Sequence, residues 1–213
     1  PLWACPFGRS NNPPQSIARA IGATPRQRIY TEVGGNQPQS RLIEFAGDIA
    51  RGERELVLFA GAEAIRNQRH AERQATALDW NEEFEVPLDD RGIGADLFTS
   101  QEIHNGLVMP VYFYTLVEQA RASAAGRSTA QQRAHSAELM ASFSAVAATN
   151  PYAQFAGAQS AQEILAAAPM THLYTRRMVA QDGVNQAAAL LMTSVAKARE
   201  LGIPPDRWVF LHG

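Results

Sequence analysis

Residues 28–51, RIYTEVGGNQPQSRLIEFAGDIAR, constrain the fold of this chain more than any other stretch. The alternating apolar run Ile29-Tyr30-Thr31-Glu32-Val33 predicts a strand. Gly34-Gly35 breaks it where a positive φ costs little. A helix follows, with Asn36 at the N-cap, Pro38 in the first turn and Leu42, Ile43, Phe45, Ala46, Ile49 and Ala50 as its apolar positions. Strand, glycine turn and buried helix bring backbone N–H groups and a positive helix end to one point. Such a point suits an oxyanion or a thioester carbonyl. Any side chain on that turn would hold the reactive atom, and here the turn carries glycine.

A second unit of the same kind follows. ELVLFAG, residues 55–61, is a continuous apolar run of the sort covered on both faces, and a helix is expected from residue 62 to 75. Two such units argue for an α/β layered fold with a mixed, mainly parallel sheet. Upstream, Pro13-Pro14 opens a short helix through Ile17, Ala18 and Ile21, stopped by Gly22. From Leu78 the pattern changes. Residues 79–106 are acidic and irregular, with Pro87, Gly92 and Gly94. Helices are then expected at 110–125, 128–149 and 160–168, with Ser128 as an N-cap, Gly126 ending its predecessor and Asn150-Pro151 a stop. NQAAALLMT, residues 185–193, returns as a strand, followed by a helix at 194–201 and a buried-strand pattern at 208–212. The strands at 29–33, 55–61, 187–193 and 208–212 are expected in one sheet, with 79–170 as a helical layer of its own. Pro1 is no initiator methionine, and the final strand pattern stops without turn or tail. The stretch reads as the middle of a longer protein.

Composition narrows the function classes. A net charge of -2 without a basic stripe disfavours nucleic acid as a partner. No apolar run nears the roughly 18 residues of a membrane span, and no signal peptide opens the chain, so a cytoplasmic setting is expected. The single cysteine, Cys5, excludes an internal disulfide and a cysteine-rich metal site.

EVGGNQPQSRL, VLFAGAEA, GLVMPVYFY, VAATNPYAQFA, LMTSVAKARELGI and DRWVFLHG lie at separations that resemble the thiolase superfamily. The kinship is with its thiolase-like, sterol-carrier-associated branch, often labelled acetyl-CoA acetyltransferase, and it spans nearly the whole chain. The resemblance implies a thiolase-like layered fold of two similar α/β halves around a helical loop domain. On that template residues 1–78 belong to the N-terminal half, 79–170 to the loop domain, 171–205 to a return to the N-terminal half, and 206–213 to the first strand of the C-terminal half. It implies acyl-CoA C-acyltransfer in lipid metabolism, a coenzyme A thioester as substrate with no cofactor, and a homodimer. An OB-fold partner subunit, as in related thiolase-like proteins, is a further implied partner.

One departure matters. Thiolases place a nucleophilic cysteine on the turn before the buried helix, where the helix end lowers its pKa. That position falls on Gly35, or on Gly34 if the turn slips by one. No catalytic residue is therefore assigned. Gly34, Gly35 and Asn36 are candidates for binding substrate, as are His104 and Met109, which precede Pro110 where related enzymes contact acyl-CoA. Cys5 lies outside the motif, Ser40 has no base beside it, and the thiolase base histidine and second cysteine belong to a later half. The alternative readings are a non-catalytic acyl-CoA-binding or assembly subunit, or a retro-aldol C–C lyase acting with an OB-fold partner.

The remaining polar groups read more simply. His70, among Arg66, Arg69 and Arg73, marks a solvated helix face, and His135 is expected to be exposed. His172 precedes Tyr174-Thr175-Arg176-Arg177, a surface basic pair. His212 ends a strand, where open α/β sheets often put functional groups. Glu82, Glu83, Glu85, Asp89 and Asp90 fit no ligand spacing, so no metal is expected.

Overall fold

The computed structural model describes residues 10–92 and 98–212; the expectations for Cys5, Gly94 and the first nine residues lie outside them. In chain order the elements are α1 (Pro13–Ala20), β1 (Ile29–Tyr30), α2 (Gln37–Ala50), β2 (Leu56–Ala64), α3 (Ile65–Arg73), β3 (Asp89–Asp90), α4 (Ser100–His104), α5 (Pro110–Ala124), α6 (Thr129–Ala147), α7 (Ala161–Ala166), β4 (Asn185–Thr193) and α8 (Val195–Glu200). A 3-10 turn, Pro205–Arg207, follows. They divide into a sheet-bearing unit, Pro1–Leu97 with Asp182–Gly213, and a helical unit, Phe98–Gln181. The expected helical layer ran from 79 to 170.

Local chemistry explains the helix starts. Asn12 accepts from Gln15 N at 3.1 Å ahead of the prolines that open α1. Ser128 and Gln131 bond each other's backbone at the start of α6, and Ser160 and Glu163 do the same for α7. These reciprocal caps satisfy N–H groups that a helix leaves orphaned. In the helical unit Ala137, Ile164 and Met178 form a buried cluster, with Met140, Leu165 and Tyr174 packed against it. Thr175 is fully buried and donates its hydroxyl to the Ile164 carbonyl at 2.7 Å, so its polar atom costs little there. Burial pushes the Tyr174 phenol above its usual range.

The α/β class with a helical insertion stands, but the sheet differs from the expected one. β2 and β4 pair antiparallel from Leu56↔Thr193 to Ala64↔Asn185, while β1 and β3 pair parallel over two residues each. Among the described residues, two separate ladders therefore stand in place of a single, mainly parallel sheet, and the longer one is antiparallel. The strand expected at 29–33 shrinks to Ile29–Tyr30 because β3 offers only Asp89 and Asp90 as partners. The strand at 55–61 extends to Ala64, following its partner, and delays the next helix to Ile65. It is not covered on both faces: Phe59 meets Phe45 of α2 edge-on at 6.4 Å, while Leu56 and Leu58 are exposed. Residues 208–212 form no strand, since they meet no ladder partner among the described residues. Trp208 is instead held by its indole N–H on the Ile203 carbonyl at 3.0 Å and by the Arg199 guanidinium over its ring.

Candidate functional site

The turn that joins β1 to α2 is shaped by its two glycines in different ways. A Cβ on Gly34 would stand 2.6 Å from Asn36 Oδ1, closer than atoms approach without moving. A Cβ on Gly35 would meet nothing within 4 Å. Gln37 N donates to the Gly34 carbonyl at 3.1 Å and Ser40 N to the Asn36 carbonyl at 3.1 Å, which starts the helix. Asn36 holds the N-cap position, but its side chain makes no capping bond. The reason is its backbone, already helical at φ -85° and ψ -11°, whereas a capping side chain needs an extended residue to reach the first turn. The N–H groups of Gly35 and Asn36 have no partner among the described residues, and both residues are exposed. Two free donors thus sit at the positive end of a 14-residue helix.

An ionic network braces this helix. Arg91 grips Glu44 with both guanidinium nitrogens at 2.9 Å and reaches Asp89 at 3.4 Å. Arg41 pairs with Glu44 and stands 3.8 Å from Glu32. The hydrogen bond from Arg91, and then the charges of Arg91 and Arg41, hold the Glu44 carboxyl below its ordinary range against the opposing effect of burial. Glu44 in turn raises Arg91. Around the same turn, Glu32 Oε2, Gln37 Oε1 and Arg41 Nε are buried without a hydrogen-bond partner. Sequence reasoning missed this network. Arg41 and Glu44 were findable as an i, i+3 pair on a helix, but the bond from Arg91 crosses 47 residues and leaves no local mark.

The five candidate binding residues fall in both units: Gly34, Gly35 and Asn36 in the sheet-bearing one, His104 and Met109 in the helical one. His104 ends α4 with Nδ1 2.6 Å from the Ser100 carbonyl of its own helix, and its ring is exposed. Met109 precedes α5 and is likewise exposed. His172 Nε2 lies 3.2 Å from Gln119 Oε1, and Arg177 covers the Phe155 ring at 5.1 Å. His212 does not end a strand, because the strand is absent there. In the basic run, Arg69 is held by both oxygens of Asp182 at 3.0 and 2.8 Å. Of the acidic loop, Glu82 pairs with Arg19 and Asp89 with Arg91. Among the described residues no three His, Cys, Asp or Glu side chains gather as a metal site, and no helix is long and apolar enough to cross a membrane.

No family model matches the chain. No curated protein matches it. Among solved structures it is similar to a monomeric SCP2-thiolase like protein type 1 from Mycobacterium smegmatis, with 36% sequence identity and a TM-score of 0.70. The match covers 96% of this chain and 39% of that one. The fold is thus thiolase-like, and the chain is thiolase-like in this general sense. It spans well under half the length of the protein it resembles.

Proposed function

We propose that the chain forms the thioester-binding part of a thiolase-like protein acting on acyl-CoA, and that its turn polarises the thioester carbonyl without being acylated by it. The observation that supports this reading is the pair of free N–H donors at Gly35 and Asn36, on the exposed positive end of α2 in a thiolase-like fold. Preorganised donors of this kind stabilise the oxyanion that develops on a carbonyl under attack, or the enolate beside it. Neither glycine carries a nucleophile, so an acyl-enzyme cannot form on this turn. In acyl transfer a carbanion from outside the turn would attack the polarised carbonyl carbon and coenzyme A thiolate would leave. In retro-aldol cleavage a base outside the turn would take the β-hydroxyl proton, the C–C bond would break, and the same donors would hold the thioester enolate that forms. A binding or assembly role uses the same contacts with no turnover. His104 and Met109 remain proposed acyl-CoA contacts, and an OB-fold partner and a homodimer remain proposals. The pairing draws no support from a similar protein described as monomeric.

Titrating acetyl-CoA into the full-length protein by calorimetry tests the reading. A Cβ at Gly35 meets nothing within 4 Å, so Gly35→Trp sets a bulky ring on an open, exposed position of the turn. It should weaken acetyl-CoA binding about tenfold or more. Unchanged affinity would move the thioester away from this turn.

A further inference from the structure

Helix α3 ends against a return of the chain, and between them lies an open cleft of about 340 Å³. Asn67, His70 and Gln74 recur at i, i+3 and i+7, so they share one side of α3 and its C-cap. Ala71 of the helix and Thr76, Leu78 and Trp80 of the returning chain complete the lining. The reversal turns on Ala75, whose φ of 50° is the one positive value at a non-glycine residue among those described. Five other helices, α1, α2, α4, α5 and α8, place glycine at the same stop, so α3 is the exception. Thr76 N donates to the Ala71 carbonyl at 2.9 Å and fixes the returning segment onto the helix.

The lining has a definite chemistry. It contains no Lys, Arg, Asp or Glu, so nothing in it selects a charged group. Asn67 Oδ1 accepts from Asn185, which leaves its Nδ2 donor over. The His70 ring, the Gln74 amide and the Trp80 indole N–H have no hydrogen-bond partner among the described residues. Trp80 and Leu78 are half-buried and supply an apolar face. An indole face favours a flat π partner, and amide and imidazole groups read the donor and acceptor edge of a planar ring. The volume sits at the small end of ligand sites.

We propose that this cleft binds a neutral heteroaromatic ring of the nucleobase class, its face against Trp80 and Leu78 and its edge on His70, Gln74 and Asn67. The site makes no use of the Gly34-Gly35 turn, so it stands or falls separately from the thioester reading. Such a ring arrives either as a free nucleoside or as the base of a larger nucleotide such as coenzyme A.

The test is calorimetric titration of adenosine and guanosine into the full-length protein, repeated with His70→Leu, Gln74→Leu and Trp80→Leu. At least one nucleoside should bind saturably, and each substitution should weaken it about tenfold or more. His70 and Gln74 are exposed and their side chains have no hydrogen-bond partner among the described residues, so their variants decide the matter should Trp80→Leu fail to fold. Displacement of the nucleoside by coenzyme A would identify the base of a nucleotide as the occupant, and indifference to coenzyme A would identify a free nucleoside. No saturable binding of either nucleoside to the unmodified protein at about 10 mM, or binding that survives His70→Leu and Gln74→Leu unchanged, would overturn the proposal.

Discussion

In the helical unit the apolar groups converge: Ala122, Ala137, Ile164 and Leu173 are each no more than 2% exposed, and Ile164 shares a cluster with Ala137 and Met178. In the sheet-bearing unit the buried apolar residues, Ala18, Phe45, Ile65, Ala71 and Ala198, are spread over four helices, Ile65 and Ala71 both on α3, while Leu56, Leu58 and Leu191 of the long ladder stay exposed. The difference is one of partners. An amphipathic helix finds its cover in a neighbouring helix of the same local run, as α6 does in α7. A two-stranded ladder covers one face at most, and here α2 covers only the side bearing Phe59. Among the described residues, the unit that carries the candidate turn thus shows no such cluster, and its helix α2 is braced by ion pairs.

The largest effect that can break this comparison comes from truncating one apolar side chain in each unit. Ile164→Ala should cost about 2–5 kcal/mol in chemical denaturation and release hydrogen-exchange protection across α5 to α7. Leu58→Ala, on the open face of β2, should stay within about 0.5 kcal/mol. Equal costs would mean that the ladder is as well covered as the helices, and the comparison would fail.

A smaller effect should appear at the braces of α2. Arg91→Met strips Glu44 of its main partner, and about 1–2 kcal/mol of stability should go with it, since both side chains are largely shielded from water. The pH dependence has a definite sign. Glu44 is lowered in the folded state, so its contribution is present above the ordinary carboxylate value of 4.5 and is lost as pH falls through the lowered folded value. Acid titration of the unmodified protein should show that loss in the sheet-bearing unit, and Arg91→Met should flatten it. An acid limb identical in both would remove Glu44 from the account.

Caps sharpen the contrast further. Ser160→Ala and Ser128→Ala each remove a side chain that bonds the first turn, and each should cost about 1 kcal/mol. Asn36→Ala removes no such bond and should be close to neutral, within about 0.3 kcal/mol. A full capping cost at Asn36 would show that its side chain turns inward in solution. The smallest expected change is a gain: Ala75→Gly relieves a left-handed residue and should stabilise by about 0.5 kcal/mol, the strain removed outweighing the added chain entropy.

What the sequence displayed followed the range of each interaction. Ser128 with Gln131, Ser160, Pro110 and Gly126 announce helix ends because a cap acts within four residues. The ladder of β2 with β4 was hidden because its partners are far apart in the chain, as the Thr193 hydroxyl on the Glu55 carbonyl, 138 residues away, illustrates. β3 was hidden for another reason. Asp89-Asp90 has poor strand propensity, and only the Arg28 and Tyr30 backbone recruits it. At the turn, the glycines and the helix start were legible, while the helical backbone of Asn36 and the grip of Arg91 on Glu44 depended on three-dimensional context.

The central claim is that the Gly34-Gly35 turn holds a thioester carbonyl but lacks the atom to attack it. Gly35→Cys in the full-length protein, followed by intact-mass analysis with acetyl-CoA and by timed alkylation with iodoacetamide, tests this most directly. Gly35 has room for the new side chain and lies beside the N-terminus of α2, which favours the thiolate. The account predicts no acetyl adduct on the unmodified protein, a new thiol alkylated faster than Cys5, and protection of that thiol by acetyl-CoA. A folded variant whose introduced thiol is slow to react and indifferent to acetyl-CoA would contradict it.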